Sequence, residues 1–268
     1  MRIHLFEWED FSWYPDVLRT AQTDYLRFLM ETFDVFRAVI PQLGMALRQS
    51  GEHHLVDFCS GGGGSLRIVQ EHLEKDFPGI AFRATLSDLY PNVAAFQQIE
   101  RESDGKITHR KEPVDVRRIP EAMSTGFWTV FNGFHHLPEP EAQALLQAAV
   151  DRKRPIGIFE PIDKSVLQLI INTFALTVLM FLVTPFIRPF RWSRLLFTYP
   201  IPLIPFFTLW DGWVSVLRLY TPAHLRQIVS RLAGHTNYDW KVGKARHLFG
   251  TVIYLIGLPH SSTKTYSS

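Results

Sequence analysis

The 268-residue chain has a single cysteine, Cys59, so no disulfide can form within it and a reducing compartment is expected. It lacks a charge excess: 28 Lys and Arg against 26 Asp and Glu leave a formal net charge of +2. No basic run is long enough to track a phosphate backbone, so the expectation includes no nucleic acid. The opening residues Met1–Asp10 are acidic and have no apolar stretch, unlike a signal peptide. Two nucleotide fingerprints are missing. Counted from Gly61, G-x-G-x-x-G reaches Leu66 at its sixth position, and from Gly62 it reaches Arg67. No Lys follows the glycines, as a P-loop would require. Cys/His spacing shows no metal-ligand set, so no metal is expected.

What is present is the run Val56-Asp57-Phe58-Cys59-Ser60-Gly61-Gly62-Gly63-Gly64-Ser65. An apolar strand ends in an acid, and four glycines lead into an amphipathic segment. Glycines there let the main chain turn and approach a ligand where a Cβ would clash. The helix that follows offers unpaired N–H groups and the positive end of its dipole. Such a loop holds a nucleotide-like cofactor at the end of an open α/β sheet.

The surrounding pattern alternates strand and helix. Strands are expected at His54–Phe58, Ile80–Ser87, Ile107–Val114, Phe127–Asn132 and Ile156–Glu160, with helices at Gly64–Lys75, Asn92–Glu102 and Glu139–Asp151 between them. This order predicts a mostly parallel sheet covered on both faces. A helix at Pro222–Leu232, capped by Thr221, precedes two closing strands at Tyr238–Val242 and Phe249–Leu258. Upstream, Leu26, Leu29, Phe33, Phe36 and Ile40 recur at helical spacing, predicting a helix over Thr23–Arg48 that Pro41 kinks or divides. Before it, Trp8, Phe11, Trp13 and Tyr14 form an aromatic cluster on an irregular segment.

Asp57, Cys59, Gly61 and Gly63 form acid-x-small-x-Gly-x-Gly, which resembles motif I of the class I S-adenosylmethionine-dependent methyltransferases. The resemblance spans about residues 53–160 and 220–258. It departs at Cys59, where that family usually has glycine. The resemblance implies a Rossmann-like, mostly parallel seven-stranded sheet with helices on both faces, an N-terminal helical lid (1–52), an S-adenosylmethionine-binding domain (53–163 and 220–260) and a flexible tail (261–268). It implies that Asp57 lies near the cofactor's amino group, that Asp88 takes the ribose hydroxyls and that Leu89 lies on the adenine face. Asp115 and Val116 would meet the adenine edge, and Asn132 would offer its side chain or carbonyl. In Phe131-Asn132-Gly133-Phe134-His135-His136-Leu137-Pro138, His135 is the expected proton acceptor; neighbours in an extended segment point to opposite sides, so one of the two histidines should face the site. Trp13, Tyr25, His136, Asp211 and Tyr220 are the expected acceptor contacts, with an Asp211–Arg218 pair as the plainer role for Asp211.

The stretch 164–219 reads as an apolar, helical insertion. The 23 residues from Ser165 to Ile187 carry no charge. As one helix they would run roughly 35 Å, the order of a bilayer's hydrocarbon core. Arg188, Arg191 and Arg194 follow, then the uncharged Leu195–Trp210, broken by Pro200, Pro202 and Pro205. Three readings stand side by side. A transmembrane hairpin sets the arginines against the positive-inside tendency. A segment lying in a membrane surface places them at headgroups. A buried cap closes a substrate pocket or a dimer contact. The expected activity is methyl transfer from S-adenosylmethionine to a small hydrophobic or lipid-like acceptor, in a cytoplasmic protein with peripheral or monotopic membrane contact through residues 165–210. The alternatives are a nicotinamide-dependent reductase on a related sheet and a catalytically silent membrane-associated binding protein. Acceptor identity and oligomeric state are not legible.

Overall fold

The computed structural model describes residues 2–64, 66–161, 166–247 and 250–260. The expected tail, the start of the insertion at residues 164 and 165, and the expected strand start at Phe249 lie outside them. Two helices, α1 (Asp16–Thr32) and α2 (Ile40–Ser50), lead into β1 (His54–Phe58), α3 (Leu66–Asp76), β2 (Arg83–Leu86), α4 (Val93–Glu102), β3 (Ile107–His109), β4 (Phe127–Phe131), α5 (Glu139–Asp151) and β5 (Ile156–Glu160). The insertion holds α6 (Val166–Val183), α7 (Trp192–Thr198) and α8 (Leu203–Arg218). Then come α9 (Pro222–Ser230), β6 (Tyr238–His247) and β7 (Gly250–Pro259).

The seven strands lie in the order β3-β2-β1-β4-β5-β7-β6. Strands β1 to β5 pair in parallel, and β7 enters antiparallel between β5 and β6. A dinucleotide-binding sheet runs 3-2-1-4-5-6 in parallel. The reversed seventh strand departs from that order and argues against the reductase alternative. One apolar core joins α2, α3 and α4 to the sheet, and a second joins α5 and α9. Thr221 caps α9 as its position predicts, accepting from His224 N at 3.2 Å.

The N-terminal helix differs from the expectation. It begins at Asp16 and stops at Thr32; Asp34 is in the left-handed region (φ 46°), and a 3₁₀ turn over Val35–Val39 follows. Pro41 lies in the first turn of α2, where its missing N–H costs nothing, so it starts a helix rather than kinking one. The N-terminal helices and the apolar segment share one core, in which Tyr14, Leu18, Tyr25 and Leu29 pack on Met180, Ile187 and Ile204. The join is polar at one buried node. Arg194 of α7 pairs with Asp24 of α1 and donates through Nη1 to the Ile187 carbonyl at 2.9 Å.

By length and composition Leu169–Phe186, with mean hydropathy 2.1, is able to cross a bilayer, whereas α7 and α8 meet at a 76° bend. In the fold, α6 packs one side against α1 and α8. Tyr25 Oη donates to the Leu176 carbonyl at 2.6 Å and Trp213 Nε1 to Thr173 Oγ1 at 2.8 Å. Thr173, Thr177 and Thr184 return their hydroxyls to carbonyls one turn back, which satisfies them on an apolar helix.

Candidate active site

The ends of β1, β2 and β4 open onto a cavity of about 790 Å³, roofed by α1, α6 and α8. Its floor is the turn after β1. Cys59 and Gly61 both have positive φ (54° and 55°). The left-handed region costs a non-glycine residue on the order of 1 kcal/mol. The Cβ that Cys59 adds where glycine is usual has room because residue 133 lacks one: a Cβ at Gly133 would stand 2.7 Å from that of Cys59. A Cβ at Gly62 would stand 2.7 Å from the Thr23 carbonyl, so α1 lies directly on the loop.

Asp88 borders the cavity beside this turn. Its Oδ2 accepts from Gly61 N at 2.7 Å and its Oδ1 from Tyr90 N at 2.8 Å. Each oxygen keeps a lone pair for a further donor. Cys59, Gly61, Leu89, Asp115, Val116 and Asn132 border the same space. Asp115 faces it with its carboxylate forked by Arg117 (2.7–2.9 Å), which holds its pKa below the usual range. Asn132 Oδ1 is buried with no partner among the described residues, an acceptor left for a ligand donor.

Asp57 and Gly63 stand apart from this set. Asp57 is buried beneath the loop, where its carboxylate accepts from Ser60 Oγ and Thr129 Oγ1 (2.7 Å each). Burial pushes its pKa up to about 7 against those hydrogen bonds. The expected contact with a cofactor amino group is therefore corrected: Asp57 ties β1 to β4 and to the turn. Gly63 is required by its backbone, which has φ 93°, and it faces Ile99 rather than the cavity.

Both histidines face the cavity, contrary to the expectation of one. The segment Phe134–His136 is a 3₁₀ turn rather than extended chain, and the two rings lie 4.4 Å apart. Glu160, the last residue of β5, builds this turn. Its Oε1 accepts from Phe134 N (2.7 Å) and His135 N (3.2 Å), and its Oε2 lies 2.8 Å from His135 Nδ1. His136 Nδ1 lies 2.9 Å from Asp10 Oδ1 and 3.3 Å from Glu7 Oε2. Burial opposes a charge on His136, but the Glu7 and Asp10 carboxylates outweigh it and push its pKa up to about 10.

Of the expected acceptor contacts, Tyr25, His136 and Asp211 line the cavity. Asp211 accepts from Trp8 N (2.8 Å) and Gln22 Nε2 (2.9 Å), and burial pushes its pKa up to about 6. It makes no pair with Arg218, which instead bridges Glu7 and Asp10. Trp13 and Tyr220 fall outside. Trp13 is 65% exposed and stacks on Phe11, while Tyr220 is buried with its hydroxyl donating to the Leu137 carbonyl at 2.7 Å. The sequence reading missed Glu160, Glu7 and Glu9. Glu160 carried a signal, as the acid that ends a parallel strand. Glu7 and Glu9 carried none, because only the fold brings the N-terminal segment to the end of β4.

A cavity at the carboxyl ends of a parallel sheet, floored by a glycine turn, defines a nucleotide-cofactor site of the open α/β class. A scan against protein-family models finds no match, and a comparison with curated protein sequences finds none. Among solved structures the chain is similar to the plantazolicin methyltransferase BpumL in complex with a monoazolic desmethylPZN analog and SAH, at 9% identity and TM-score 0.55, over 90% of each chain. It is also similar to the methyltransferase domain of bacterial CtHen1, at 12% identity and TM-score 0.51, over 84% of this chain and 99% of that one. The fold is that of the class I S-adenosylmethionine-dependent methyltransferases.

Proposed function

We propose that this chain is an S-adenosylmethionine-dependent methyltransferase whose acceptor is a small hydrophobic or lipid-like molecule met at a membrane surface. One observation carries the reading: a single cavity borders the glycine turn, Asp88, Asp115 and the orphan acceptor of Asn132 and also the apolar α6 residues Leu176, Leu179 and Met180. The sulfonium methyl donor, when bound, supplies an electrophilic carbon and a neutral leaving group.

The chain's own residues do the rest. Asp88 accepts from vicinal hydroxyls beside the glycine turn, and Asn132 Oδ1 takes a donor that nothing else in its surroundings supplies. Leu89 and Val116 offer apolar surface to a base. Glu160 holds Nδ1 of His135, which fixes the ring and leaves Nε2 to take a proton from an acceptor hydroxyl or amine. The roof excludes water and orders an apolar acceptor, and positioning is the main source of rate in such a transfer.

The outer face of the insertion supports the membrane part. Phe174 (72%), Phe186 (71%) and Trp192 (77%) are exposed, together with Ile171, Leu182 and Phe206. Exposed apolar surface of this extent marks an interaction site. Arg188 is exposed among Phe186, Phe190 and Trp192, the mixture that suits a headgroup boundary. The arginine reading is narrowed to that residue, since Arg194 is buried on Asp24 and Arg191 lies 3.7 Å from the same carboxylate. The test is product formation: the purified chain, S-adenosylmethionine and vesicles carrying apolar phenols or amines should yield S-adenosylhomocysteine and a methylated acceptor. Turnover confined to water-soluble polar acceptors would reject the acceptor class.

A further inference from the structure

The two histidines of the 3₁₀ turn and Glu7 form a constellation that proton transfer does not require. Glu7, His135 and His136 each offer a donor atom, and the three atoms all lie within 4.8 Å of one another. Glu7 and His135 are buried, and all three border the cavity.

The surroundings of the rings point the same way. His135 is gripped at Nδ1 by Glu160 (2.8 Å), and His136 at Nδ1 by Asp10 (2.9 Å), with Glu7 Oε2 3.3 Å from that same nitrogen. Neither ring makes a hydrogen bond through Nε2 among the described residues. A carboxylate on one ring nitrogen, with the other left free, is how metal-binding histidines are oriented and made more basic. Here the device occurs twice on adjacent rings. A second observation is independent of the rings: Glu9 Oε1 is buried, borders the cavity and has no partner among the described residues.

We infer that Glu7, His135 and His136 bind a divalent first-row transition-metal ion. Two imidazoles and a carboxylate suit borderline ions such as Zn²⁺ and Co²⁺ rather than Ca²⁺ or Mg²⁺, which prefer oxygen donors. Three protein donors leave a position for water or an acceptor oxygen, whose acidity the ion would raise. Glu160 and Asp10 are positioning residues. The inference goes beyond the methyl-transfer reading and does not depend on it. With the ion bound, His135 holds metal rather than a proton.

The test uses the full chain, stripped with a chelator and titrated with ZnCl₂ by calorimetry and with CoCl₂ by visible absorption. One ion per chain is expected, with Co²⁺ bands of a four- or five-coordinate site. His136→Asn and Glu7→Gln should each weaken Zn²⁺ at least tenfold, and Glu160→Gln should weaken it less. His260→Ala, at the opposite end of the strands from the site, should leave it unchanged. Thermal melts identify any variant that fails to fold, and His136→Asn keeps the Glu7–Arg218 pair if Glu7→Gln does not. Absence of stoichiometric binding, or binding that both His136→Asn and Glu7→Gln retain, overturns the site. S-adenosylmethionine binding in the same samples separates the two claims: cofactor binding without metal removes only this inference, and metal binding without cofactor removes only the methyltransferase.

Discussion

His135 Nδ1 and Glu160 Oε2 stand 2.8 Å apart, with both side chains buried and the Glu160 Oε1 spent on the backbone of the same turn. The carboxylate therefore sets ring orientation and turn geometry together. His135→Ala should lower turnover by about 10²–10⁴-fold while leaving cofactor affinity within about threefold. Glu160→Gln should lower turnover by a smaller factor, because Gln can still accept from the backbone of the turn but no longer holds the His135 ring with a carboxylate. Steady-state kinetics with calorimetry on each variant checks both.

Arg194 and Asp24 join α7 to α1, both almost fully buried. Burial pushes the Asp24 pKa up, and the Arg194 guanidinium opposes it. Removing one partner strands a charge away from water. Arg194→Ala should destabilise by about 3–5 kcal/mol in urea unfolding, and Asp24→Leu with Arg194→Met should restore much of the loss. A loss below about 1 kcal/mol for the single change would show that α7 and α1 are not coupled there.

Asp57 makes stability depend on pH. Its folded pKa, about 7, lies above the unfolded carboxylate value of about 3.9. The folded state therefore holds a proton that the unfolded chain has released. Its stabilising contribution is full below about pH 4, falls as pH rises to about 7 and is level above that, by linkage. Asp57→Asn should remove this part of the slope between pH 4 and 7, measured as the difference between wild-type and variant unfolding curves. Identical slopes would place the titration elsewhere.

The strand-and-helix order, the glycine turn and the acids Asp88 and Asp115 were legible because they rest on local rules: period, punctuation and topology. Asp88 and Asn132 lie where those rules put them. The misjudged residues are those whose role depends on distant partners. Asp57 looks like a ligand until Thr129, on the neighbouring strand, takes its carboxylate. His135 and His136 look opposed until Glu160 folds their segment into a tight turn. Trp13 and Tyr220 looked like pocket walls because aromatic residues carry no mark of which side they cover. Glu7 and Asp10 reach the site from the far end of the chain, which no spacing rule can show.

The apolar face of the insertion should carry the chain to membranes. With liposomes containing anionic lipid, the chain should co-sediment, and Phe174→Glu with Trp192→Glu should abolish it while preserving the melt. Raised salt should weaken binding only modestly, since apolar area dominates and Arg188 is the one exposed arginine of its group of three. A detergent-free, monodisperse dimer that ignores liposomes would assign this face to a second copy instead.

The most direct measurement is calorimetric titration of the purified chain with S-adenosylmethionine and S-adenosylhomocysteine, alongside Asp88→Asn. One site per chain is predicted for both ligands, with at least tenfold weaker binding in the variant. A folded wild-type chain that binds neither, or an Asp88→Asn chain that binds both as well as wild type, would contradict a cofactor seated between the glycine turn and Asp88.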